Sequence, residues 1–194
     1  MLTLQIILGS TRTGRSGEAV AKWVYQIAKK RTDVHIELVD VADYNLPLLD
    51  EELPALAAGL MGIEYSKKHT RTWASKIAEA DGYIFVTAEY NRSIPGALKN
   101  AIDFLYKEWN EKAVGFVGYG AEGGARAIAH LRDVAGEVRL ADVREEVLLF
   151  LDYDFVDYVF KPSHKHDEQL NIMIDQIAQY AEAMKSIRVT SGQV

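Results

Sequence analysis

The chain alternates short apolar runs with longer segments in which apolar residues recur at helical spacing. This alternation is typical of a parallel sheet covered by helices on both faces, because successive parallel strands are joined by crossover helices. We therefore predict an α/β fold with a doubly wound parallel sheet. In such sheets ligands bind at the carboxyl ends of the strands, so the segments that follow the strands are the candidate functional loops.

Five segments are predicted to be strands. The first is a near-continuous apolar run suited to burial on both faces, and the second mixes polar with apolar residues, as an edge strand does. The five are Leu2–Leu8, Val34–Val39, Tyr83–Thr87, Ala113–Gly118 and Val147–Leu151.

Apolar residues at helical spacing predict helices between and after these strands, and each stripe is expected to face the core or an interface. The stripes are Val20, Trp23, Val24, Ile27 and Ala28; Trp73, Ile77 and Ala80; Leu98, Ala101, Ile102 and Leu105; and Leu170, Met173, Ile174, Ile177, Ala181 and Met184. A further helix is predicted over Ala127–Leu140. The tail Val189–Val194 is expected to be frayed.

Length and composition narrow the class of protein. The 194 residues suit one domain, which we place at residues 1–188. A net charge of -6 without a basic run argues against nucleic acid as a partner, and the absence of cysteine excludes disulfides, thiolate metal sites and a cysteine nucleophile. We see neither a signal peptide nor the roughly 18 apolar residues of a membrane span, so the default expectation is a soluble cytoplasmic protein with no membrane partner.

Small and hydroxyl-bearing residues follow the first strand. The loop Gly9-Ser10-Thr11-Arg12-Thr13-Gly14-Arg15-Ser16-Gly17 leads directly into a helix. Main-chain N–H groups at a helix N-terminus attract anions, and hydroxyls with arginines suit the charge of a phosphomonoester. The loop therefore predicts a phosphate site, unless Ser16 only caps the helix and the glycines only turn the chain.

Two other nucleotide-binding loops fit less well. A Walker A loop needs Gly-Lys-Ser/Thr and a dinucleotide fingerprint needs G-x-G-x-x-G, whereas this loop has only Gly14-x-x-Gly17. Asp40, at the end of the second strand, stands where the ribose-binding acid of a dinucleotide site would lie. The dinucleotide interpretation is therefore kept as a minor alternative.

The segment after the third strand carries the most specific motif, Ala88-Glu89-Tyr90-Asn91-Arg92-Ser93-Ile94-Pro95-Gly96-Ala97-Leu98-Lys99-Asn100-Ala101-Ile102-Asp103-Phe104-Leu105. It resembles the signature of the NADPH-dependent FMN reductase family, which includes chromate, quinone and azo-dye reductases of flavodoxin-like fold. The family's usual form is Pro-Glu-Tyr-Asn, a turn of small residues and a Leu-Lys-Asn-Ala-Ile-Asp helix. Ala88 replaces the proline here, a change expected to loosen the loop or alter its hydrogen bonding to a flavin edge. Without the resemblance, the segment would be a polar turn in which Pro95 opens a helix.

A glycine-rich turn follows the fourth strand, Gly118-Tyr119-Gly120-Ala121-Glu122-Gly123-Gly124-Ala125-Arg126. Paired glycines let the main chain approach a planar ligand, and the next helix N-terminus favours an electron-rich ring edge. The family resemblance extends through this turn to His130-Leu131-Arg132 and back over the first loop.

The resemblance implies a flavodoxin-like sheet of strand order 2-1-3-4-5, a bound FMN, and NADPH or NADH as co-substrate. It implies three groups of cofactor-binding residues and neither a metal site nor an obligatory catalytic side chain. The groups are Ser10, Thr11, Arg12, Arg15 and Ser16 around the phosphate; Ala88, Glu89, Tyr90, Asn91 and Arg92 beside the isoalloxazine; and Gly118, Tyr119 and Gly120 closing its far side.

The activity implied is ping-pong hydride transfer through FMN to quinones, free flavin or similar small acceptors. The resemblance also implies a homodimer or homotetramer. Trp73 and Trp109 would suit such a contact unless the monomer buries them. Tyr65-Ser66 and His69-Thr70 match a subgroup of the family, and for them an interface role is as open as a catalytic one.

Several alternatives stay open. The main one is a flavodoxin-type electron carrier without nicotinamide activity, because Thr11-x-Thr13-Gly14-x-Ser16 resembles the flavodoxin phosphate loop T-x-T-G-x-T. The arginines of the loop and the Glu-Tyr-Asn motif argue against it, and a sensor that keeps the fold without turnover is a third possibility. We interpret His164-Lys165-His166-Asp167 as a solvated turn rather than a metal site, and Asp50-Glu51-Glu52 as a solvated connection.

Overall fold

Five parallel strands form the central sheet in the order β2-β1-β3-β4-β5 in the computed structural model, which describes residues 1–190 and 192. This confirms the predicted doubly wound sheet and its strand order. The strands are β1 (Leu2–Leu8), β2 (Val34–Asp40), β3 (Gly82–Ala88), β4 (Lys112–Gly120) and β5 (Leu140–Phe150). Every residue of β3 and β4 is buried, whereas β2 alternates buried with exposed residues, as an edge strand does.

Helices cover both faces of the sheet. They are α1 (Gly17–Ala28), α2 (Ala55–Met61), α3 (Lys68–Ala78), α4 (Gly96–Asp103), α5 (Ala125–Glu137), α6 (Leu151–Asp154) and α7 (His164–Thr190). The stripes predicted for α1 and α7 pack on one face, and those of α3 and α4 pack on the other. Trp73 and Trp109 are 0% exposed, so they belong to the core of the monomer and are excluded as surface contacts.

The structure corrects several predicted boundaries. The helix predicted over Ala127–Leu140 runs from Ala125 to Glu137 and ends before Arg139, whose φ of 57° reverses the chain. The fifth strand of the sheet, β5, starts at Leu140 rather than Val147. Leu151, predicted to end this strand, is instead the first residue of α6. The first half of β5 was not predicted because it contains a bulge. Asp142 pairs with Val114 and Glu146 with Phe116, so five residues of β5 lie opposite three of β4, and this irregular pairing breaks the apolar pattern.

The short elements that were not predicted from the sequence are a 3-10 helix (Val41–Tyr44), α2, α6 and the hairpin of β6 (Phe155–Val156) and β7 (Val159–Phe160). At the end of the chain, Val189 and Thr190 continue α7, although both were placed in the frayed tail. The rest of that tail, except Gly192, lies outside the described residues. Among the described residues, no helix combines the length and apolar character of a membrane span.

Candidate functional site

Three loops meet at the carboxyl ends of β1, β3 and β4. They are the first loop (residues 9–16), the β3–α4 loop (residues 89–95) and the β4–α5 loop (residues 121–124). The Ser10 and Tyr90 hydroxyls lie 2.8 Å apart, and the Glu89 N–H donates to the Tyr119 carbonyl at 3.1 Å. The structure therefore brings together the three segments that the sequence singled out, at the edge where doubly wound sheets bind ligands.

Arg15 connects the first loop to the end of β2. Its guanidinium donates to both carboxylate oxygens of Asp40 and to the main-chain oxygen of Ser10, and its side chain is only 9% exposed. Burial alone would lower the pKa of Arg15, but the Asp40 carboxylate outweighs it and raises the pKa, so the arginine stays charged. Asp40 also accepts the Ala42 N–H at 2.9 Å. This carboxylate is therefore occupied, which counts against the dinucleotide alternative.

Arg12 lies on the open side of the same loop. It donates to the carbonyls of Thr13 at 3.1 Å and Gly14 at 3.3 Å, and its Nε lies 3.4 Å from the Tyr90 hydroxyl. Thr11 is also exposed, and Ser16 makes no side-chain capping bond to α1. The capping alternative for Ser16 is therefore not what the structure shows, and this part of the loop can face a ligand.

The side chain of Tyr119 reaches under helix α1. Its ring packs in the core beneath α1, and its hydroxyl lies at the start of that helix, where a Cβ on Gly17 would come within 2.5 Å of it. The residue is 6% exposed, and none of the described residues is a hydrogen-bond partner for the hydroxyl. Its side chain therefore points to the start of α1 and the first loop.

The β3–α4 loop contains a tight turn. Tyr90 and Ser93 exchange two main-chain hydrogen bonds of 3.0 Å, and Asn91 and Arg92 between them have φ of 50° and 67°. Positive φ at both central residues is the geometry of a type I′ turn, which glycine would adopt with less strain. Strained, exposed residues are concentrated at binding sites, and both side chains here are exposed.

Glu89 joins the β3–α4 loop to helix α5. Its carboxylate accepts the main-chain N–H of Arg126 at 3.1 Å and the Arg126 guanidinium at 2.8 Å. The side chain is 8% exposed. Glu89 therefore positions the loop through the α5 N-terminus, where its carboxylate is bonded to Arg126.

Gly118 also has a packing role. A Cβ at Gly118 would lie 2.7 Å from the Gly123 carbonyl oxygen, and one at Gly124 would lie 2.7 Å from the Tyr119 nitrogen. Gly124 has a φ of 79°, which favours glycine as well. These glycines let the β4–α5 loop fold back onto β4. Gly118 is therefore in close contact with this loop.

The sequence analysis left the residues at the start of α3 without a role, and the structure gives them one. Glu51 accepts the N–H of Ser66, its hydroxyl, and the N–H of Lys67 at 2.7 to 3.0 Å. Although burial opposes the effect, these hydrogen bonds lower the pKa of Glu51 to about 2. Tyr65 bonds Glu108 and His69 bonds Asp50, both at 2.9 Å. The acidic connection therefore anchors the segment instead of being only solvated.

Two cavities differ in their relation to these loops. A groove of about 320 Å³ opens beside the first loop and is lined by Thr11, Val41, Ala42, Asn45, Leu46, Ala97 and Asn100. A larger cavity of about 660 Å³, lined by Asp81, Lys112 and Arg188 among others, lies at the opposite, amino-terminal ends of the strands. The groove is therefore the cavity that a ligand at the loops could share.

The histidines near the C-terminus are divided between partners. His166 lies 2.9 Å from Asp154, whereas His164 is 3.4 Å from Asp167, which also accepts from Trp23. In the described part of the chain, no group of three or more histidines or carboxylates is arranged to hold a metal ion.

The loops together fit a flavin mononucleotide. The phosphate end offers an unpartnered buried hydroxyl, the start of a helix and an exposed arginine, and these are donors for an anion. The ring end offers a strained turn whose two central residues are exposed, and the groove lies beside the first loop and the start of α4. A phosphate joined to a planar ring would span both ends.

Comparison with known proteins agrees with this geometry. A model of the NADPH-dependent FMN reductase family matches residues 2–152. An NAD(P)H-dependent FMN reductase of Schizosaccharomyces pombe is 37% identical over 183 residues, covering 93% of this chain and 90% of the relative. A quinone reductase of Escherichia coli K12 is 31% identical over 190 residues, covering 90% and 86%.

Solved structures share the fold. The flavoenzyme NAD(P)H:(acceptor) oxidoreductase FerB from Paracoccus denitrificans superposes with a TM-score of 0.70 at 21% identity, covering 93% of this chain and 99% of that one. A short-chain flavodoxin associated with a bacterial microcompartment superposes with a TM-score of 0.59 at 16% identity, covering 93% and 99%. At these identities the two structures establish the flavodoxin-like fold alone.

Proposed function

The chain belongs to the NADPH-dependent FMN reductase family, and we propose that it is an FMN-dependent NAD(P)H oxidoreductase that reduces quinones, free flavin or similar small acceptors. The observation that carries the proposal is the junction of the first loop with the β3–α4 loop, where Ser10 and Tyr90 lie 2.8 Å apart. An anion site and a ring site side by side at this junction would suit a flavin mononucleotide.

Each part of the chain has a distinct task in this proposal. Arg12, Ser16 and the start of α1 would bind the phosphate, while Arg15 fixes the loop through Asp40. The turn at Asn91 and Arg92 would direct main-chain N–H groups at the ring edge where negative charge accumulates on reduction. Bound FMN supplies the redox chemistry, by accepting a hydride from NAD(P)H and passing electrons to the acceptor.

We also propose that NAD(P)H and the acceptor use one open face in turn, which gives ping-pong kinetics. The exposed turn, together with the groove beside the first loop, leaves this side of the site accessible. Initial rates measured at several concentrations of both substrates test the proposal. Parallel lines in double-reciprocal plots are expected, and intersecting lines would show that both substrates bind together.

An electron carrier without nicotinamide activity remains the alternative. The flavodoxin in the comparison supports only the shared fold, because its identity to this chain is 16%. The curated relatives with 31% to 37% identity are named as reductases. A bound flavin that neither NADPH nor NADH reduces without oxygen would favour the carrier.

A second copy of this chain is the partner that we propose for the exposed side of α2. Leu60 and Met61 are 81% and 66% exposed, while the helix buries only Ala55 and Ala58. Exposed apolar clusters of this kind mark association sites, and most homo-oligomers pair such surfaces symmetrically. Light scattering should give the mass of a dimer or tetramer for the wild type and a lower mass for the Leu60→Glu variant.

We also propose a cytoplasmic location, which cell fractionation would test.

A further inference from the structure

Tyr119 has a buried hydroxyl that the monomer leaves unsatisfied. The residue is 6% exposed, and no described residue forms a hydrogen bond with the hydroxyl. Most buried hydroxyls in proteins do have a partner, because leaving one unpaired has a free-energy cost. A partner for Tyr119 is therefore expected from outside the chain.

The surroundings of the hydroxyl indicate what this partner is. It lies at Gly17, the first residue of the 12-residue helix α1, where a side-chain Cβ would collide with it at 2.5 Å. Among the described residues, none accepts a main-chain hydrogen bond from the N–H of Gly17 or Glu18. The start of a helix carries partial positive charge, so the hydroxyl points into a place that attracts anions.

The positive charges near the Tyr119 hydroxyl also favour an anion as its partner. Burial, with a smaller effect of Tyr90, raises the pKa of Tyr119 to about 12, while the nearby Ser10 hydroxyl and the positive charges of Arg12 and Arg15 oppose the rise. The hydroxyl therefore keeps its proton and can donate it, and both arginines of the first loop lie within electrostatic reach. Since Ser10 is bonded to Tyr90 and Arg15 to Asp40, Tyr119 is a donor that the loop has not yet used.

We propose that Tyr119 binds the FMN phosphate, donating its hydroxyl from beneath the first loop, and that this contact makes the site prefer FMN to riboflavin. The inference rests on the proposed function, since it takes FMN as the ligand. It goes beyond that function by moving Tyr119 from the ring to the phosphate and by assigning it the choice between two flavins.

The test compares Tyr119→Phe with the wild type as apoproteins. Quenching of flavin fluorescence gives the dissociation constants for FMN and for riboflavin, which has the same ring without the phosphate. Loss of one hydrogen bond to a charged group should weaken FMN binding about tenfold or more, with riboflavin binding unchanged within about twofold. The preference for FMN therefore falls in the variant.

Tyr25→Phe is the matched control. Tyr25 is a partly buried tyrosine of α1, the helix above Tyr119, and its hydroxyl makes no hydrogen bond among the described residues. Loss of the Tyr25 hydroxyl should leave the dissociation constants for FMN and riboflavin unchanged. If Tyr119→Phe also leaves the ratio of the two constants unchanged, the inference is wrong.

Thermal unfolding of the apoproteins gives a readout that does not involve flavin. Removing an unpaired buried hydroxyl should leave the Tm of Tyr119→Phe equal to or above that of the wild type, and inorganic phosphate should raise the Tm of the wild type more than that of the variant. A lower Tm in the variant with equal protection by phosphate would show that Tyr119 is structural. Failure of the wild type to bind FMN would overturn the proposed function, whereas the phosphate experiment tests the anion site separately.

Discussion

The two arginines of the first loop are chemically alike but have different partners. Arg15 has a largely shielded side chain paired with Asp40, whereas Arg12 is exposed and bonded to loop carbonyls. A buried pair that loses one member leaves a charge without compensation, which costs more than the loss of an exposed pair. Arg15 should therefore matter for stability, and Arg12 for ligand binding.

Asp40→Asn tests the role of Arg15 without altering the arginine. Because the pair is largely shielded, the substitution should lower the free energy of unfolding of the apoprotein by about 2 kcal/mol, measured in urea at pH 7. Glu18→Gln is the control, since Glu18 contacts the same arginine at 3.3 Å but is 53% exposed. It should cost less than about 0.5 kcal/mol, and equal losses in the two variants would refute the difference in role.

Arg92 allows a test of backbone strain at the proposed ring site. Its φ of 67° is unfavourable for any residue but glycine. Arg92→Gly should therefore raise the free energy of unfolding of the apoprotein by about 0.5 to 1 kcal/mol. Arg92→Ala removes the same side chain and keeps the strain, so it should be no more stable than the wild type. Equal stability of the two variants would mean that the turn is not strained.

At the scale of elements, the start of α3 depends on a carboxylate from a distant segment. Hydrogen bonds from Ser66 and Lys67 outweigh burial and lower the pKa of Glu51 to about 2 from an ordinary value of 4.5. A carboxylate whose pKa is lowered by folding stabilises the protein above its ordinary pKa. That contribution is lost as the pH falls toward the lowered value.

Glu51→Gln should lower the free energy of unfolding by about 1 kcal/mol at pH 7, as the loss of a helix-capping group does. The difference from the wild type should shrink as the pH falls from 4.5 toward 2, which urea titrations at several pH values would measure. Glu52→Gln, at an exposed neighbouring position, serves as the control. A difference that stays constant with pH would contradict the role assigned to Glu51.

The helices and central strands could be predicted because local apolar patterns in the sequence indicate which of their residues are buried. β3 is mostly apolar and buried along its whole length, and α1 keeps one apolar stripe. The first half of β5 could not be, because Arg132 pairs with Asp142 and Glu146 and supports a polar, irregular segment. That support comes from α5, and no local pattern in the strand reveals it.

The loops of the candidate site were predictable, but the directions of several side chains were not. The position of a loop follows from the end of its strand, whereas the direction of Tyr119 depends on the space left by Gly17, about a hundred residues away in the chain. Glu89 likewise faces Arg126 because the two loops fold toward each other. The resemblance supplied the candidate residues, and only the structure showed which of them are bonded to other parts of the chain.

At the scale of the whole molecule, the parallel sheet directs every strand end of the same kind to one edge. The first loop, the β3–α4 loop and the β4–α5 loop therefore form one site although they are far apart in the chain. The opposite edge has the larger cavity, but its Lys112 amine is already bonded to the Ile77 carbonyl at 2.9 Å and to Tyr83 at 3.0 Å. The architecture thus assigns flavin chemistry to the edge with the three loops.

The most direct test is the visible spectrum of the protein loaded with FMN and titrated with NADPH or NADH in the absence of oxygen. Flavin-mediated reduction predicts that the flavin band bleaches rapidly and that a quinone restores it, while Tyr25→Phe behaves like the wild type. A bound flavin that neither nicotinamide bleaches would contradict the reductase assignment. A protein that binds no FMN would contradict the site itself.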